Sequence, residues 1–188
     1  MSSAETWGEP LPRTFYDRKT KQVARDLVGA FLCRRTGRGV NAYIVTETEA
    51  YLGAHDLASH SSKGITSRTQ VMYGPPGHAY IYLIYGMHYC LNVVTEREGN
   101  GAAVLIRGIS PAPVSSALTD KFPKLDGPGK LTRALDIDKS LNGADITTSE
   151  SLWFCARTKR PRIIAGPRIG VDYAGDWAAA PLRFCMAP

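Results

Sequence analysis

The pattern of apolar and polar positions changes from helical to extended spacing near residue 30. Residues 20–27 place their apolar side chains at helical spacing, and Gly29 follows as a terminator. Two short apolar runs, at 30–35 and 40–48, are joined by a glycine-containing stretch at 37–39. The pattern predicts a helix followed by a β-hairpin.

The most regular alternation lies in the middle of the chain. In an extended run at 79–83, Tyr80 and Tyr82 face one side of the strand. Two further runs follow at 88–95 and 102–107, each after a stretch that contains glycine. Connections this short favour antiparallel pairing, so we expect a three-stranded antiparallel meander.

The last third predicts one helix and two strands, and the length predicts one domain. A helix begins near Gly127, and strands are expected at 152–156 and 182–185. A chain of 188 residues has the length of one domain. Residues 1–13 lack periodicity and are expected to be a flexible N-terminal segment, followed by a single mixed α/β domain at 14–188.

Composition adds a basic balance to this picture. The 23 Lys and Arg residues exceed the 17 Asp and Glu residues and give a formal charge of +6, while 44% hydrophobic residues suffice for a core. Most of the basic residues are arginines, whose planar guanidinium suits phosphate. Charge alone leaves RNA, DNA, acidic lipid and acidic protein open as partners. No apolar run approaches the roughly 20 residues that a membrane helix needs.

Cysteine spacing and the first residues indicate a reducing compartment. Four cysteines stand far apart without a Cys-x-x-Cys pair, so reduced, packed thiols are expected: Cys33, Cys90, Cys155 and Cys185. The chain starts without a basic-then-apolar secretion signal. We expect a protein that is not secreted and lies in the cytoplasm.

Tyrosine and histidine are concentrated between positions 51 and 89, where six of the nine tyrosines and all four histidines lie. A sheet core would explain single tyrosines. Immediately before the cluster, alternation places Glu47, Glu49 and Tyr51 on one face of a strand end. Two adjacent carboxylates are costly unless partnered, so they can serve acid/base catalysis, or one can be a structural ion-pair partner.

Two further features of this region bear on its chemistry. The histidines, with Asp56, do not match the spacing of known zinc motifs, so we expect neither a metal nor another cofactor. The turn at Tyr85 and Gly86, followed by Met87, presents a large ring where a structural hairpin would accept Asn-Gly. That ring can be a wedge that unstacks DNA bases or can fold back onto the sheet.

Several motifs together resemble those of the alkyladenine (3-methyladenine, methylpurine) DNA glycosylases. The similarity runs from about residue 14 to residue 184 and is carried by the motifs Glu47-Thr48-Glu49-Ala50-Tyr51, His60-Ser61, Tyr80 through Met87, Asn92, Gly127 through Leu131, Arg168 through Val171, and Trp177 through Phe184. The resemblance implies a curved antiparallel sheet with flanking helices and a protruding β-hairpin that enters DNA.

The resemblance also implies a reaction and its site residues. A damaged purine (3-methyladenine, 7-methylguanine, hypoxanthine or ethenoadenine) would be flipped from duplex DNA, and water activated by Glu49 would hydrolyse its N-glycosidic bond. The implied roles by position are catalysis by Glu49 and Arg107, a base pocket of Tyr51, His60, Tyr82, Asn92 and Leu105, and intercalation by Tyr85 and Met87. No lysine falls where an amine nucleophile is needed, which implies a monofunctional enzyme that leaves an abasic site.

The implied partner is double-stranded DNA that contains damaged purines, and no membrane contact is expected. The resemblance also implies a monomer that works in the bacterial cytoplasm, at the nucleoid, or in a eukaryotic nucleus. One departure is the loop 62–70, where Arg68-Thr69 replaces the Arg-Asn pair common in the family, which leaves DNA contacts from that loop open. Two other hypotheses remain: a non-catalytic nucleic-acid-binding module and a sugar-polymer hydrolase that uses Glu47 and Glu49.

Overall fold

A computed structural model describes residues 7–37, 39–112 and 125–188 of the chain. The helices in this part are α1 (Arg13–Tyr16), α2 (Thr20–Leu27) and α3 (Pro128–Ala134). Short 3₁₀ segments occupy His60–Lys63, Gln70–Tyr73, Lys139–Leu141 and Asp172–Ala178. The strands are β1 (Phe31–Thr36), β2 (Gly39–Tyr51), β3 (Ala79–Ile84), β4 (His88–Thr95), β5 (Ala102–Pro111), β6 (Leu125–Asp126), β7 (Leu152–Cys155), β8 (Ile163–Gly166) and β9 (Arg183–Met186).

These strands form one antiparallel sheet, which confirms the predicted mixed α/β class. The central order is β3-β4-β5-β2-β1-β7, with β6 added to β5 and the β8–β9 pair added to β2. The predicted hairpin corresponds to β1 and β2, and the predicted meander corresponds to β3, β4 and β5. The sequence analysis did not predict β6 or β8, which are short strands that depend on their partners.

The long strand β2 organises the site because it pairs with β1, β5 and β9 along its length. Its register with β5 shifts on both sides of Glu47, where the pairing is irregular. Beyond the irregularity, Glu49 stands opposite Leu105 of β5 and Arg183 of β9. A bulge bends and twists a strand locally, so it re-aims the side chains beside it.

The turn between β3 and β4 has an unusual backbone. Tyr85 and Gly86 both have positive φ angles, 53° and 68°, and the Met87 N–H donates to the Ile84 carbonyl at 3.2 Å. Two central residues with positive φ are typical of the tightest hairpin turns, which follow the sheet's twist. A tyrosine rarely adopts this conformation, so its backbone there is strained.

The main core lies between the sheet and the helices. The apolar residues at helical spacing in and directly after α2, Val23, Ala24, Leu27 and Val28, are buried. The Thr48 hydroxyl of β2 donates to the Ala24 carbonyl at 2.8 Å, which fixes α2 against the sheet. On the meander, the Thr132 hydroxyl of α3 donates to the Tyr89 carbonyl at 2.9 Å.

The N-terminal segment predicted at 1–13 lies partly outside the described residues, which begin at Trp7. From there the chain follows β7, where the Leu11 N–H donates to the Phe154 carbonyl at 2.7 Å. The four cysteines are free thiols, and the sulfurs of Cys33 and Cys155 lie 3.9 Å apart. Within the described ranges, no helix combines the length and the apolar character needed to cross a bilayer.

Candidate active site

A buried carboxylate lies at the end of β2. Glu49 has no solvent-exposed surface, although an unpaired buried charge is costly. Its Oε2 accepts a hydrogen bond from the Tyr51 hydroxyl, and its Oε1 accepts one from the Ile169 N–H, both at 2.8 Å. The bond between Glu49 and Tyr51 agrees with the predicted common face of the strand.

Arg107 of β5 bridges the two carboxylates of this strand end. Its Nε lies 3.2 Å from Glu47 Oε1 and 3.5 Å from Glu49 Oε1. Glu47 also accepts a hydrogen bond from Arg183 at 3.1 Å and is more exposed than Glu49. The two carboxylates therefore differ: Glu47 lies between two arginines, whereas Glu49 is held by a hydroxyl, a backbone N–H and one shared arginine.

The environment raises the pKa of Glu49 above its ordinary value of 4.5. Burial is the largest cause because it disfavours the charged form. The Arg107 charge and the hydrogen bonds from Ile169 and Tyr51 oppose it, and Glu47 adds a smaller upward contribution. Arg107 therefore favours the ionised form of Glu49, but burial outweighs this effect. A carboxylate with a raised pKa is a stronger proton acceptor.

An aromatic cavity of about 120 Å³ lies next to this carboxylate. All five predicted pocket residues line it. The full lining is Tyr51, Ala58, His60, Met72, Tyr80, Tyr82, Ile84, Asn92, Leu105, Arg107, Ile169, Gly170, Val171 and Tyr173. Glu49 lies behind the lining and contacts three of its members, Tyr51, Arg107 and Ile169.

The histidine of the cavity is uncharged at neutral pH. Burial, followed by the nearby Arg68 charge, lowers the pKa of His60 to about 4. Its ring meets the Tyr82 ring edge-on at a centroid distance of 4.5 Å, and its Nδ1 lies 3.0 Å from the Tyr80 hydroxyl oxygen. These contacts fix the wall formed by His60 and Tyr82 without placing a positive charge in the cavity.

Asn92 and Leu105 form a second part of the lining. They stand opposite each other in the β4–β5 pairing, and both are almost fully buried. The Asn92 side-chain amide donates to the Tyr80 carbonyl at 3.0 Å, so its orientation is fixed. The predicted intercalating residues lie outside the cavity at the β3–β4 turn, where the side chains of Tyr85 and Met87 are 84% and 70% exposed.

Sequence reasoning missed a buried ion pair behind the cavity. Arg168 binds both carboxylate oxygens of Asp56, at 2.6 and 2.9 Å, and neither side chain is exposed. The same guanidinium donates to the Ala50 carbonyl at 2.9 Å and lies 4.7 Å from the centre of the Tyr51 ring. No local pattern pairs residues 112 positions apart; only the position of Arg168 beside Ile169 hinted at a site role.

Arg68 was named in the sequence analysis only as part of a loop of unknown contacts. Its guanidinium carbon lies 5.1 Å from the centre of the Tyr82 ring, which lines the cavity. Within the described part of the chain, no cluster of three or more histidine, cysteine, aspartate or glutamate side chains has a geometry that could hold a metal ion.

Comparisons with known proteins agree with the motifs. Residues 14–188 match the family model described as methylpurine-DNA glycosylase. A protein of Methanocella arvoryzae named as a 3-methyladenine DNA glycosylase is 50% identical over 181 residues, which cover 93% of this chain and 90% of the relative. Proteins with the same name from Legionella pneumophila strain Lens and Myxococcus xanthus are 49% and 48% identical, over 93% and 92% of this chain and 92% and 88% of their own lengths.

Proposed function

Because this chain belongs to the methylpurine-DNA glycosylase family, a family of DNA repair hydrolases, we propose that it removes alkylated and deaminated purines from duplex DNA. The substrate class comprises 3-methyladenine, 7-methylguanine, hypoxanthine and ethenoadenine. The damaged nucleotide is flipped out of the helix into the aromatic cavity, since its glycosidic bond is out of reach inside the stack. Hydrolysis of that bond releases the base and leaves an abasic site.

The observation that carries this proposal is a fully buried carboxylate beside an aromatic cavity. Glu49 takes a proton from the attacking water and stabilises the positive charge that develops on the sugar. Arg107 lies between the carboxylates of Glu47 and Glu49 and orients that of Glu49, while Glu47 has a structural role. The cavity lining includes Ile169, Gly170 and Val171, and a carbonyl of this stretch is our candidate for a third water contact.

Access of water to Glu49 requires a small movement. In the described conformation the Tyr51 hydroxyl donates a hydrogen bond to Oε2 of Glu49, and Glu49 has no exposed surface. A purine that stacks on the Tyr51 ring is in a position to move this hydroxyl away and open the carboxylate to one water molecule. Activation of the nucleophile then depends on a base being present, which protects intact DNA.

Base recognition rests on uncharged groups. Tyr51, His60 and Tyr82 provide aromatic faces that attract electron-poor and cationic purines, an effect of about 1–2 kcal/mol. The neutral state of His60 removes a repulsion that a cationic base would otherwise meet. Asn92, beside Leu105, occupies the space that the 2-amino group of guanine would need, which rejects the commonest undamaged competitor.

The exposed turn of the β3–β4 hairpin is proposed to take the place of the flipped nucleotide. Tyr85 enters the duplex and Met87 packs beside it, so contacts of the hairpin offset the cost of unstacking, about a few kcal/mol. Ile84, which precedes the turn, lines the cavity, so a wedge at Tyr85 would act next to the base pocket.

We further propose that the enzyme is monofunctional, acts as a monomer on double-stranded DNA and works in the cytoplasm or nucleus. No lysine belongs to the cavity lining in the described structure, so hydrolysis rather than amine attack is favoured. Residues 14–188 are proposed to be one glycosylase domain, in agreement with the extent of the family match.

The test is an excision assay on duplex oligonucleotides that carry hypoxanthine or 7-methylguanine. We expect release of the free base with the strand intact until alkali is added. Glu49→Gln should lose base release by at least about 100-fold and retain binding, since it keeps the shape and loses the proton acceptor. The matched control Glu47→Gln should retain most of the rate.

Other outcomes identify the other hypotheses. Salt-sensitive binding without base release from any lesion would indicate a nucleic-acid-binding module. Equal losses in Glu47→Gln and Glu49→Gln, together with cleavage of a sugar polymer, would indicate a sugar-polymer hydrolase. Equal base release by Glu49→Gln and the wild-type protein would contradict the catalytic assignment.

A further inference from the structure

Two tyrosines that line the cavity each have a guanidinium close to the ring. Arg168 lies 4.7 Å from the centre of the Tyr51 ring, and Arg68 lies 5.1 Å from the centre of the Tyr82 ring. Both tyrosines line the cavity, whereas neither arginine does. Each ring therefore lies close to a cation that is not part of the cavity lining.

The two arginines differ in how their charges are balanced. Arg168 is buried, and the Asp56 carboxylate neutralises it through two hydrogen bonds. Arg68 is exposed, and no ion pair joins it to an Asp or Glu among the described residues. Of the two rings, only that of Tyr82 therefore lies beside an arginine whose charge no carboxylate neutralises.

The field of Arg68 reaches the other groups of this wall. Burial is the main reason why the pKa of Tyr80 is raised, and Arg68 opposes it. Arg68 also adds to the lowering of the pKa of His60, after burial. Its charge therefore acts on the cavity as well as on the face of one ring.

We propose that Arg68 is a specificity-determining residue that weakens the binding of cationic purines relative to neutral purines of the same shape. This inference deepens the proposed function and rests on it. A cation at one face of an aromatic ring interacts with the same ring quadrupole that would attract a cationic base at the opposite face. The two positive charges also repel each other, whereas a neutral base such as hypoxanthine escapes this repulsion.

The size of the effect follows from the geometry. The guanidinium carbon is 5.1 Å from the ring centre, and a stacked base adds about 3.5–4 Å, so the two charges are about 9 Å apart. At an effective dielectric constant of about 20–40, Coulomb's law gives a factor of about 5–20 in affinity. Because Arg68 is exposed and salt screens it, we expect about three- to tenfold.

The experiment compares two lesions that differ by one methyl group and one charge. Duplexes carry either deoxyinosine or its cationic 7-methyl derivative, and neither base has a 2-amino group that could meet Asn92. Dissociation constants are measured at pH 5.5, where His60 is neutral and the acidic N1–H of the 7-methyl base keeps its proton, so that this base is cationic. Every variant also carries Glu49→Gln so that the base stays attached. An undamaged duplex gives the binding that does not depend on a lesion.

The variants distinguish the effect of the Arg68 charge beside the Tyr82 ring from the general attraction of basic residues to DNA. Arg68→Met should raise the ratio of affinities, cationic over neutral, by about three- to tenfold, and Arg68→Lys should restore most of the wild-type ratio. Lys63→Met removes an exposed charge from the same loop and should weaken all duplexes equally, with no change in the ratio. Added salt should raise the wild-type ratio and leave that of Arg68→Met nearly unchanged.

The outcomes distinguish this inference from the function on which it rests. If the wild-type chain prefers lesions but Arg68→Met leaves the ratio unchanged, the specificity role is wrong and the proposed function stands. An equal rise of the ratio in Lys63→Met would also overturn it. If neither lesion is bound better than undamaged DNA, and the protein with Glu49 intact releases no base, the proposed function itself fails.

Discussion

Replacing Arg168 with methionine tests whether one buried ion pair holds the cavity in shape. Methionine fills part of the space of the arginine stem but removes the charge and every hydrogen bond. The loss includes two bonds to Asp56, one to the Ala50 carbonyl and the contact with the Tyr51 ring. The Asp56 carboxylate then stays buried without its cation.

The expected cost follows from what remains around Asp56. Breaking a buried ion pair by removing one partner costs about 3–5 kcal/mol. Asp56 keeps the backbone N–H groups of Leu52 and Ala58 as donors, at 3.0 and 3.1 Å, so its charge is partly compensated. We therefore expect the free energy of unfolding to fall by about 3 kcal/mol, which corresponds to a loss of roughly 6–12 °C in Tm.

Urea denaturation followed by circular dichroism measures this change, and an exposed ion pair provides the control. Lys130 pairs with Asp126, and their side chains are 68% and 72% exposed, so Lys130→Met should cost at most about 0.5 kcal/mol. The double variant Asp56→Leu with Arg168→Met should recover part of the loss, because no charge then remains buried.

Two results would refute this reasoning. A loss below about 1 kcal/mol for Arg168→Met would mean that the pair contributes no more than an exposed one. A double variant that is less stable than Arg168→Met would mean that packing, and not the uncompensated carboxylate, determines the cost.

Three further predictions concern the proposed mechanism. Tyr85→Ala should change the free energy of unfolding by less than about 0.5 kcal/mol, because the side chain is exposed, yet weaken capture of a flipped lesion in binding assays. The kcat/KM of excision, which reports the free enzyme, should fall as the pH drops through the raised pKa of Glu49. Tyr51→Phe should move this fall to higher pH, because it removes a hydrogen bond that favours the charged form in the free enzyme. Asn92→Ser should increase release of guanine from undamaged duplexes, measured by chromatography of free bases.

Periodicity in the sequence predicted those parts of the fold that depend on near neighbours. The helix at Thr20–Leu27 and the meander of β3, β4 and β5 follow from spacing and from short connections. The common face of Glu49 and Tyr51 follows from the same alternation, although the pairing irregularity at Glu47 left no local sign. Local spacing thus predicts which face a side chain takes, but not a bulge, which depends on the partner strand.

The contacts that hold the carboxylate could not be read from local spacing because they join distant segments. Ile169, which donates to Glu49, is 120 positions away, and Arg168 is 112 positions from Asp56. The segment lies between β8 and β9; β9 pairs with β2, and β8 pairs with β9. A family motif pointed to residues 168–171, but chemistry alone did not indicate that a backbone N–H there would hold the carboxylate.

The total of 23 Lys and Arg residues overstates the basic surface that is free to meet phosphate. More than half of the fifteen arginines bond to protein groups: Arg13, Arg18, Arg34, Arg35, Arg107, Arg157, Arg168 and Arg183. The planar fork that suits phosphate also suits carboxylates and backbone carbonyls, so the fold itself engages these side chains. Exposed cations, such as Lys159, Arg160 and Arg162 before β8, are better placed to bind DNA phosphates. The salt dependence of DNA binding should therefore follow the number of exposed cations rather than the total of basic residues.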